Sequence, residues 1–195
     1  MTYSELPSGY SLKKTINLRK GRPYALFCAA LNLLFFHVSF LLCSYFVPFT
    51  ALFKEVDGEY VLTLPRLLLD LVWIFVGLVL YAIAHLVLKG LFLKFLGGQK
   101  PKFGIKGFYY YVGSHAYFSR RQYVILLLLP ELIAEALLIV ICHLVPEPVF
   151  WVAAFVQSVH FSRIGTSLLL AALVAREPKA ALFRNMGSLS AVFCK

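Results

Sequence analysis

The chain is poor in charge, and the charge that it has is mostly of one sign. Only 14% of its 195 residues are charged, with 9 acidic residues against 19 lysines and arginines, while 61% are hydrophobic. A soluble globular domain has about a quarter charged residues and about half apolar ones. The scarcity of charge therefore excludes an ordinary soluble domain and predicts an integral membrane protein.

Features of several other protein classes are also missing. The chain has no internal repeat, no low-complexity segment and no separate basic domain, so we do not expect it to bind nucleic acid. Its four cysteines show none of the spacings of a cysteine metal site. Cys43 and Cys142 fall near the same end of the predicted bundle, which leaves a disulfide open, but buried apolar thiols are the favoured interpretation.

Four apolar runs are long enough to cross a bilayer, at about residues 25–47, 67–93, 123–145 and 149–175. Each exceeds the roughly 20 residues that a spanning helix needs, and none alternates as transmembrane strands do. The sequence thus predicts an all-α integral membrane protein with four transmembrane helices, forming one membrane domain over residues 1–195. Residues 1–22 would form a cytoplasmic arm and residues 176–195 a cytoplasmic tail.

Lysine and arginine are concentrated in three segments that alternate with the apolar runs. They are frequent before the first run, between the second and third runs, and after the fourth. The other two loops contain only Lys54 and Arg66, beside several acidic residues. By the positive-inside rule, both termini and the middle loop are expected in the cytoplasm, in a multi-pass protein of the cell membrane. The net charge of +10 would also attract anionic lipid, so the bilayer is an expected partner.

The expected cytoplasmic loop between the second and third helices, residues 97–122, has the sequence GGQKPKFGIKGFYYYVGSHAYFSRRQ. The glycine pair ends the helix. Aromatic and β-branched residues then alternate with lysine and glycine, which fits either an aromatic β-hairpin or an amphipathic loop on the membrane. We favour an interfacial aromatic belt over a peptide-binding sheet edge. The aromatic residues concerned are Phe108, Tyr109, Tyr110, Tyr111, Tyr117 and Phe118.

Ionisable residues inside the apolar runs are the main functional candidates, because such groups usually face a bundle interior or a cavity. The helix rise of about 1.5 Å per residue places His85, Glu131 and Ser167 at one depth, roughly 12–13 Å from the cytoplasmic helix ends. Glu135 and Arg163 lie deeper, roughly 18–20 Å in. Because an unpaired charge at that depth is unfavourable, we expect a buried ion pair between Glu135 and Arg163.

Several segments after His85 carry a family resemblance. They are residues 90–98 (GLFLKFLGG), 100–104 (KPKFG), 119–122 (SRRQ) and Pro130. From about Leu67 to its C-terminus the chain resembles small bacterial integral-membrane zincin peptidases, which are similar in outline to site-2-type intramembrane proteases. In that family a helix carries His-Glu-x-x-His, and a Gly-x-Asp-Leu region supplies a third ligand. The resemblance implies the family fold and a bacterial inner-membrane location.

The motif positions of that family are degenerate in this chain. His85 keeps the first histidine, but Leu86 replaces the general-base glutamate and Lys89 the second histidine, and Ser167 replaces the aspartate. A catalytic zinc generally has three protein ligands and an open position. We therefore predict a degenerate pocket that also includes Glu131, with no confident catalytic residue and no expected cofactor. Lys89 either replaces the metal charge and pairs with Glu131, or extends toward the membrane surface.

Three functions stay open. The favoured one is a catalytically inactive zincin-like protein, a pseudoprotease that binds or regulates a membrane protein or peptide through the aromatic loop and the helix bundle. The second is an active intramembrane metallopeptidase with zinc on His85, Glu131 and His160, so enzymatic activity is left open although a non-enzymatic role is preferred. The third is a subunit of a membrane transport or assembly complex, which would require oligomerisation or a larger complex.

Overall fold

Four long helices account for most of the computed structural model, which describes residues 2–18, 22–56, 59–61, 63–106, 109–186 and 189–195. The helices are α1 (Arg22–Phe46), α2 (Leu64–Gly97), α3 (Arg120–Leu144) and α4 (Glu147–Ala175). All four are long and apolar enough to cross a membrane, which confirms the four predicted spans. The 34 residues of α2 extend over about 51 Å, well beyond a hydrocarbon core of about 30 Å.

Local sequence signals set the end of α2 and the start of α3. Gly98 follows α2 with a φ of 64°, and its N–H donates to the Lys94 carbonyl at 2.9 Å. Glycine tolerates this left-handed conformation, so the glycine pair ends the helix. At the start of α3, the Gln122 side chain accepts hydrogen bonds from the backbone N–H (3.2 Å) and the hydroxyl (2.9 Å) of Ser119.

Helix α4 packs against each of the other three helices. Small residues allow this close packing: Ala154 and Ser158 are fully buried, and a Cβ on Gly165 would lie 3.0 Å from Leu31 Cγ in α1. The outward faces of α1 and α2 instead expose large apolar side chains, such as Leu41 and Phe75. Apolar surface of this extent fits contact with lipid.

Short strands lie between the helices and in both terminal segments, and they show that the all-α prediction is wrong. In chain order they are β1 (Thr2–Tyr3), β2 (Ser11–Ile16), β3 (Lys54–Val56), β4 (Glu59–Val61), β5 (Lys102–Lys106), β6 (Tyr109–Gly113), β7 (Tyr117–Ser119), β8 (Leu182–Asn185) and β9 (Ser190–Cys194). Five of them form an antiparallel sheet in the order β1-β7-β8-β9-β2. The predicted arm and tail therefore supply strands, and both lie with the α2–α3 connection at one end of the helices.

The connection between α2 and α3 contains the antiparallel pair β5–β6, with Lys102 opposite Gly113 and Phe103 opposite Val112. Of the two predicted alternatives for this loop, the structure has the hairpin. The hairpin lies on α2, where a Cβ on Gly90 would be only 2.6 Å from Phe103 Cζ. Phe108 of the predicted aromatic belt lies outside the described residues, as do residues 19–21 of the arm and 57–58 and 62 of the opposite loop.

Two apolar clusters hold the two ends of the bundle. At the sheet end, Tyr123 of α3 stacks on Phe183 of β8 at 5.3 Å, and its hydroxyl lies 2.6 Å from Ser190 Oγ. The same cluster contains Leu93, which joins α2 to the sheet. The cluster at the end away from the sheet contains the buried residues Cys142, Phe150, Trp151 and Ala154. Cys43 and Cys142 lie at that end as free thiols.

Candidate functional site

Three buried ionisable side chains meet near the middle of the bundle. His85 of α2 is 2% exposed, Glu131 of α3 is 1% exposed and His160 of α4 is fully buried. Glu131 follows Pro130 within α3 and points into the space between α2 and α4. Because ionisable groups in a membrane interior need partners, the contacts of Glu131 define this candidate site.

Two residues of α2 donate to the Glu131 carboxylate. His85 and Lys89 are four residues apart, so they lie on one face of α2. His85 Nε2 lies 2.9 Å from Glu131 Oε2, and Lys89 Nζ lies 2.6 Å from Oε1. A carboxylate only accepts hydrogen bonds, so His85 carries its proton on Nε2. The Lys89 side chain remains 28% exposed, and this lysine therefore links the buried carboxylate to the edge of the bundle.

Ser167 of α4 donates to the same carboxylate, with its Oγ 3.1 Å from Glu131 Oε1. Leu86 lies elsewhere, because it packs against the apolar cluster at the sheet end. Of the five residues predicted for the degenerate pocket, the structure thus brings together His85, Lys89, Glu131 and Ser167. Leu86 is a neighbour of this group in sequence that contributes to the core.

The hydrogen bonds of His160 fix its tautomer. Its Nε2 lies 3.0 Å from the backbone carbonyl of Glu131, which can only accept, so Nε2 carries the proton. Its Nδ1 lies 2.7 Å from the Tyr81 hydroxyl and therefore accepts that hydrogen bond. The sequence analysis missed Tyr81, although it lies one turn before His85 on the same face of α2 and stacks on that ring at 5.4 Å.

Glu135 lies one turn further along α3 and is also buried. Its Oε1 accepts a hydrogen bond from Gln157 Nε2, and its Oε2 lies 3.8 Å from His160 Nε2. Gln157 in turn accepts from Ser39 Oγ at 2.7 Å. The expected ion pair between Glu135 and Arg163 stays a prediction. Sequence reasoning missed Gln157 and Ser39, since uncharged polar residues give little signal within an apolar run.

Zinc is the metal that the resemblance implies. The atoms best placed to act as its ligands are His85 Nε2, His160 Nδ1 and a Glu131 oxygen. Ligand atoms from these three residues lie within 4.8 Å of one another, and two imidazoles with a carboxylate form a common zinc set. The hydrogen bonds, however, leave neither nitrogen free: His85 Nε2 carries a proton, and His160 Nδ1 accepts from Tyr81.

Charge also opposes a metal at these residues. The Lys89 ammonium lies 2.6 Å from Glu131 Oε1, so a cation bound to this carboxylate would be a close neighbour of the ammonium. Two positive charges so near each other repel strongly in a poorly polar interior. In this arrangement the residues do not fit a bound zinc ion. What they can do chemically is hold one buried carboxylate with a lysine, a histidine and a serine.

Comparison with known proteins identifies the family. Residues 77–182, which include α3, α4 and most of α2, match the model of a family described as "Putative zincin peptidase". No curated protein and no solved structure matches the chain. The matched segment is more than half of the 195 residues and contains His85, Lys89, Glu131, His160 and Ser167. The chain therefore belongs to this zincin-like peptidase family and is a small protein with four membrane-spanning helices.

Proposed function

We propose that this protein is a catalytically inactive member of its family that acts by binding another membrane protein or peptide. The observation that carries the proposal is the contact between Lys89 Nζ and Glu131 Oε1 at 2.6 Å. In this proposal the ammonium group neutralises the buried carboxylate, as a metal ion would in an active relative. The site then keeps the family scaffold without the charge that polarises a substrate carbonyl.

The chemistry of the surrounding residues supports inactivity. A zincin motif needs a glutamate next to its first histidine to take a proton from the attacking water. Leu86 stands at that position, has no titratable group and packs in the apolar cluster at the sheet end. Glu131 is the carboxylate in contact with His85 and so the candidate to replace that base. Its Oε1, however, already accepts hydrogen bonds from Lys89 and Ser167, and its Oε2 accepts one from His85.

The proposed binding role rests on the hairpin β5–β6 beside α2. The hairpin carries Phe103, of which 57% is exposed, and Lys102, which is also exposed. In the proposed topology both termini and this hairpin lie in the cytoplasm, because lysine and arginine are concentrated in those segments. Their common location at one end of the helices supports this sidedness.

Restoring the family motif tests the proposal. The triple variant Leu86→Glu, Lys89→His, Ser167→Asp supplies a second imidazole, a general base and the aspartate, and it removes the ammonium. We expect the purified triple variant to bind about one zinc per chain. The matched control Leu86→Glu, Lys89→Ala, Ser167→Asp lacks only the second histidine and should retain far less zinc. The zinc content of both variants is measured by inductively coupled plasma mass spectrometry.

The alternative is an active metallopeptidase with non-standard ligands, and it makes an opposite prediction for the unaltered protein. It requires chelator-sensitive cleavage of a membrane-embedded substrate that is lost in both His85→Ala and Glu131→Gln. Such cleavage, measured with purified protein in lipid nanodiscs, would contradict the proposal. Substrate that remains intact with and without added zinc would support it.

A further inference from the structure

A crevice of about 340 Å³ lies on the outside of the bundle, where α3 begins and α4 ends. Two arginines of the first turn of α3, Arg120 and Arg121, line it together with Val124, Ile125 and Ala175. The residues of the Glu131 cluster do not line it, so the crevice is separate from that cluster. Its volume is near the lower end of the range of about 300–1,000 Å³ that ligand sites occupy.

The end of α4 holds the Arg120 side chain in a fixed position. Its Nη1 donates to the backbone carbonyls of Ala175 at 3.2 Å and of Glu177 at 2.8 Å. An arginine has five N–H groups in a planar fork. The other two nitrogens of Arg120, Nε and Nη2, have no partner in the described part of the chain, and they are not buried. The guanidinium group is therefore fixed at one edge and still offers donors at the other.

The positive charge of the two arginines is not balanced by a carboxylate of the described residues. Arg121 is exposed and has neither a hydrogen bond nor an ion pair with them. Glu177 is the acidic residue that follows the crevice in sequence, but its carboxylate pairs with Lys13 and Lys14. Two neighbouring guanidinium groups without a counter-charge attract an anion, and their paired N–H donors match phosphate oxygens.

Beyond the arginines, the crevice is apolar and continues onto an apolar stripe of α3. Ile125, Leu129 and Leu132 are exposed, and their spacing of four and three residues places them on one face of the helix. Arg121 precedes Ile125 by one turn on that face. Because α3 is long and apolar enough to cross a membrane, the stripe faces lipid chains and the arginines lie where head groups begin.

We propose that this crevice binds one anionic phospholipid. Arg120 and Arg121 donate to the phosphate oxygens of its head group. One acyl chain runs over Ile125 toward Leu129. A zwitterionic lipid binds less well, because its ammonium group brings a further positive charge beside two arginines. The proposal does not involve the Glu131 cluster, so it stands or falls separately from the proposed function.

Photocrosslinking of the full-length protein in maltoside micelles tests the site. The probe is phosphatidylglycerol with a photoreactive group in its acyl chain near the glycerol, and peptide mass spectrometry locates the labelled residues. We expect saturable labelling at Val124 and Ile125 that unlabelled phosphatidylglycerol suppresses. Phosphatidylcholine should need a concentration about tenfold higher for the same suppression. Equal suppression by phosphatidylcholine or by inorganic phosphate, or no labelling of this segment, would overturn the proposal.

Two charge variants separate a specific site from general attraction of anionic lipid. Arg121→Gln removes one charge from the crevice, so the lipid concentration for half-maximal labelling should rise about fivefold. Lys94→Gln removes one charge from the end of α2, at an exposed position that does not line the crevice, and should leave that concentration unchanged. An equal rise in both variants, or no rise in Arg121→Gln, would refute the proposal.

A third variant changes the shape of the crevice and leaves its charge intact. Ala175 is exposed at the last residue of α4 and lines the crevice, so Ala175→Phe should fill part of it and weaken labelling by about fivefold or more. Ala172→Phe adds the same ring at an exposed position of α4 outside the lining and should label like the unaltered protein. Undiminished labelling in Ala175→Phe would place the lipid elsewhere and contradict the proposed site.

Discussion

Glu131 illustrates at the scale of single residues how one buried carboxylate is tolerated within a membrane-spanning bundle. Its carboxylate accepts hydrogen bonds from His85 and Lys89 of α2 and from Ser167 of α4, so both oxygens have donors. Among these donors, Lys89 contributes the ammonium group that forms an ion pair with the carboxylate. Removing one partner of a buried ion pair leaves the other charge uncompensated.

We therefore predict that Lys89→Ala strongly destabilises the protein and that a second change at Glu131 partly reverses the loss. Breaking a buried pair costs about 3 kcal/mol, and Glu131→Gln in the Lys89→Ala background should recover a large part because no charge then remains. Lys94→Ala, at an exposed position on the same helix, should change stability by less than about 0.5 kcal/mol. Unfolding midpoints in detergent are measured for these four proteins and for Glu131→Gln alone, and additive effects at positions 89 and 131 would argue against the pair.

The sequence indicated which residues of different helices lie at one level, because helix rise relates sequence position to height along the helix. That relation placed His85, Glu131 and Ser167 in one layer, and the structure brings these three side chains into contact. Helix rise gives no information on how each helix is rotated about its axis, and so on which side chains of one layer face each other. For that reason Tyr81 and Gln157, whose partners are set by helix rotation, were missed.

At the scale of secondary-structure elements, the hairpin β5–β6 depends on Gly90 for its position on α2. A Cβ at this position would lie 2.6 Å from Phe103 Cζ, closer than side chains can approach. We predict that Gly90→Val displaces the hairpin, since overpacking costs about 1–3 kcal/mol. Amide hydrogen exchange in β5 and β6 should then become about tenfold faster.

The double variant Gly90→Val, Phe103→Ala serves as the control for this steric argument. It removes the aromatic ring that the added side chain would meet, so exchange in the hairpin should be slower than in Gly90→Val alone. If both variants exchange at the same rate, the hairpin is held by contacts other than the one between Phe103 and α2.

The elements themselves were unequally visible in the sequence. Each helix is a long apolar run, so composition alone indicated it. The strands of the five-stranded sheet have two to six residues and come from three segments far apart in the chain. Their pairing depends on contacts such as Ser11 with Cys194, which no local pattern encodes. The aromatic loop was an exception, because its alternation favoured a hairpin as one alternative.

At the scale of the whole molecule, the sheet joins the N-terminal segment to the C-terminal segment. Lys14 Nζ lies 2.5 Å from Glu177 Oε1, and Lys13 Nζ lies 3.4 Å from Oε2. The hydrogen bond from Lys14, with a further contribution from Lys13, lowers the pKa of the Glu177 carboxyl below its ordinary value of 4.5. The ion pair therefore stabilises the folded protein where the carboxylate is charged.

This shift predicts how stability depends on pH. A carboxyl whose pKa is lower in the folded state stabilises the protein above the unfolded pKa, and the effect disappears as the pH falls through the folded pKa. Glu177→Gln should lower stability by about 1 kcal/mol at pH 7, because both lysines are half exposed. The difference from the unaltered protein should shrink as the pH falls below 4.5. If the unfolding midpoints of Glu177→Gln and the unaltered protein differ as much below pH 4.5 as at pH 7, the ion pair of Glu177 with the two lysines does not contribute as described.

The claim that Lys89 stands in place of the metal charge is tested most directly by the zinc content of the unaltered protein. The protein would be purified without chelators from cells grown with added zinc, and its zinc would be measured by inductively coupled plasma mass spectrometry beside His85→Ala. We predict far less than one zinc per chain in both proteins. About one zinc per chain in the unaltered protein, lost in His85→Ala, would contradict the account.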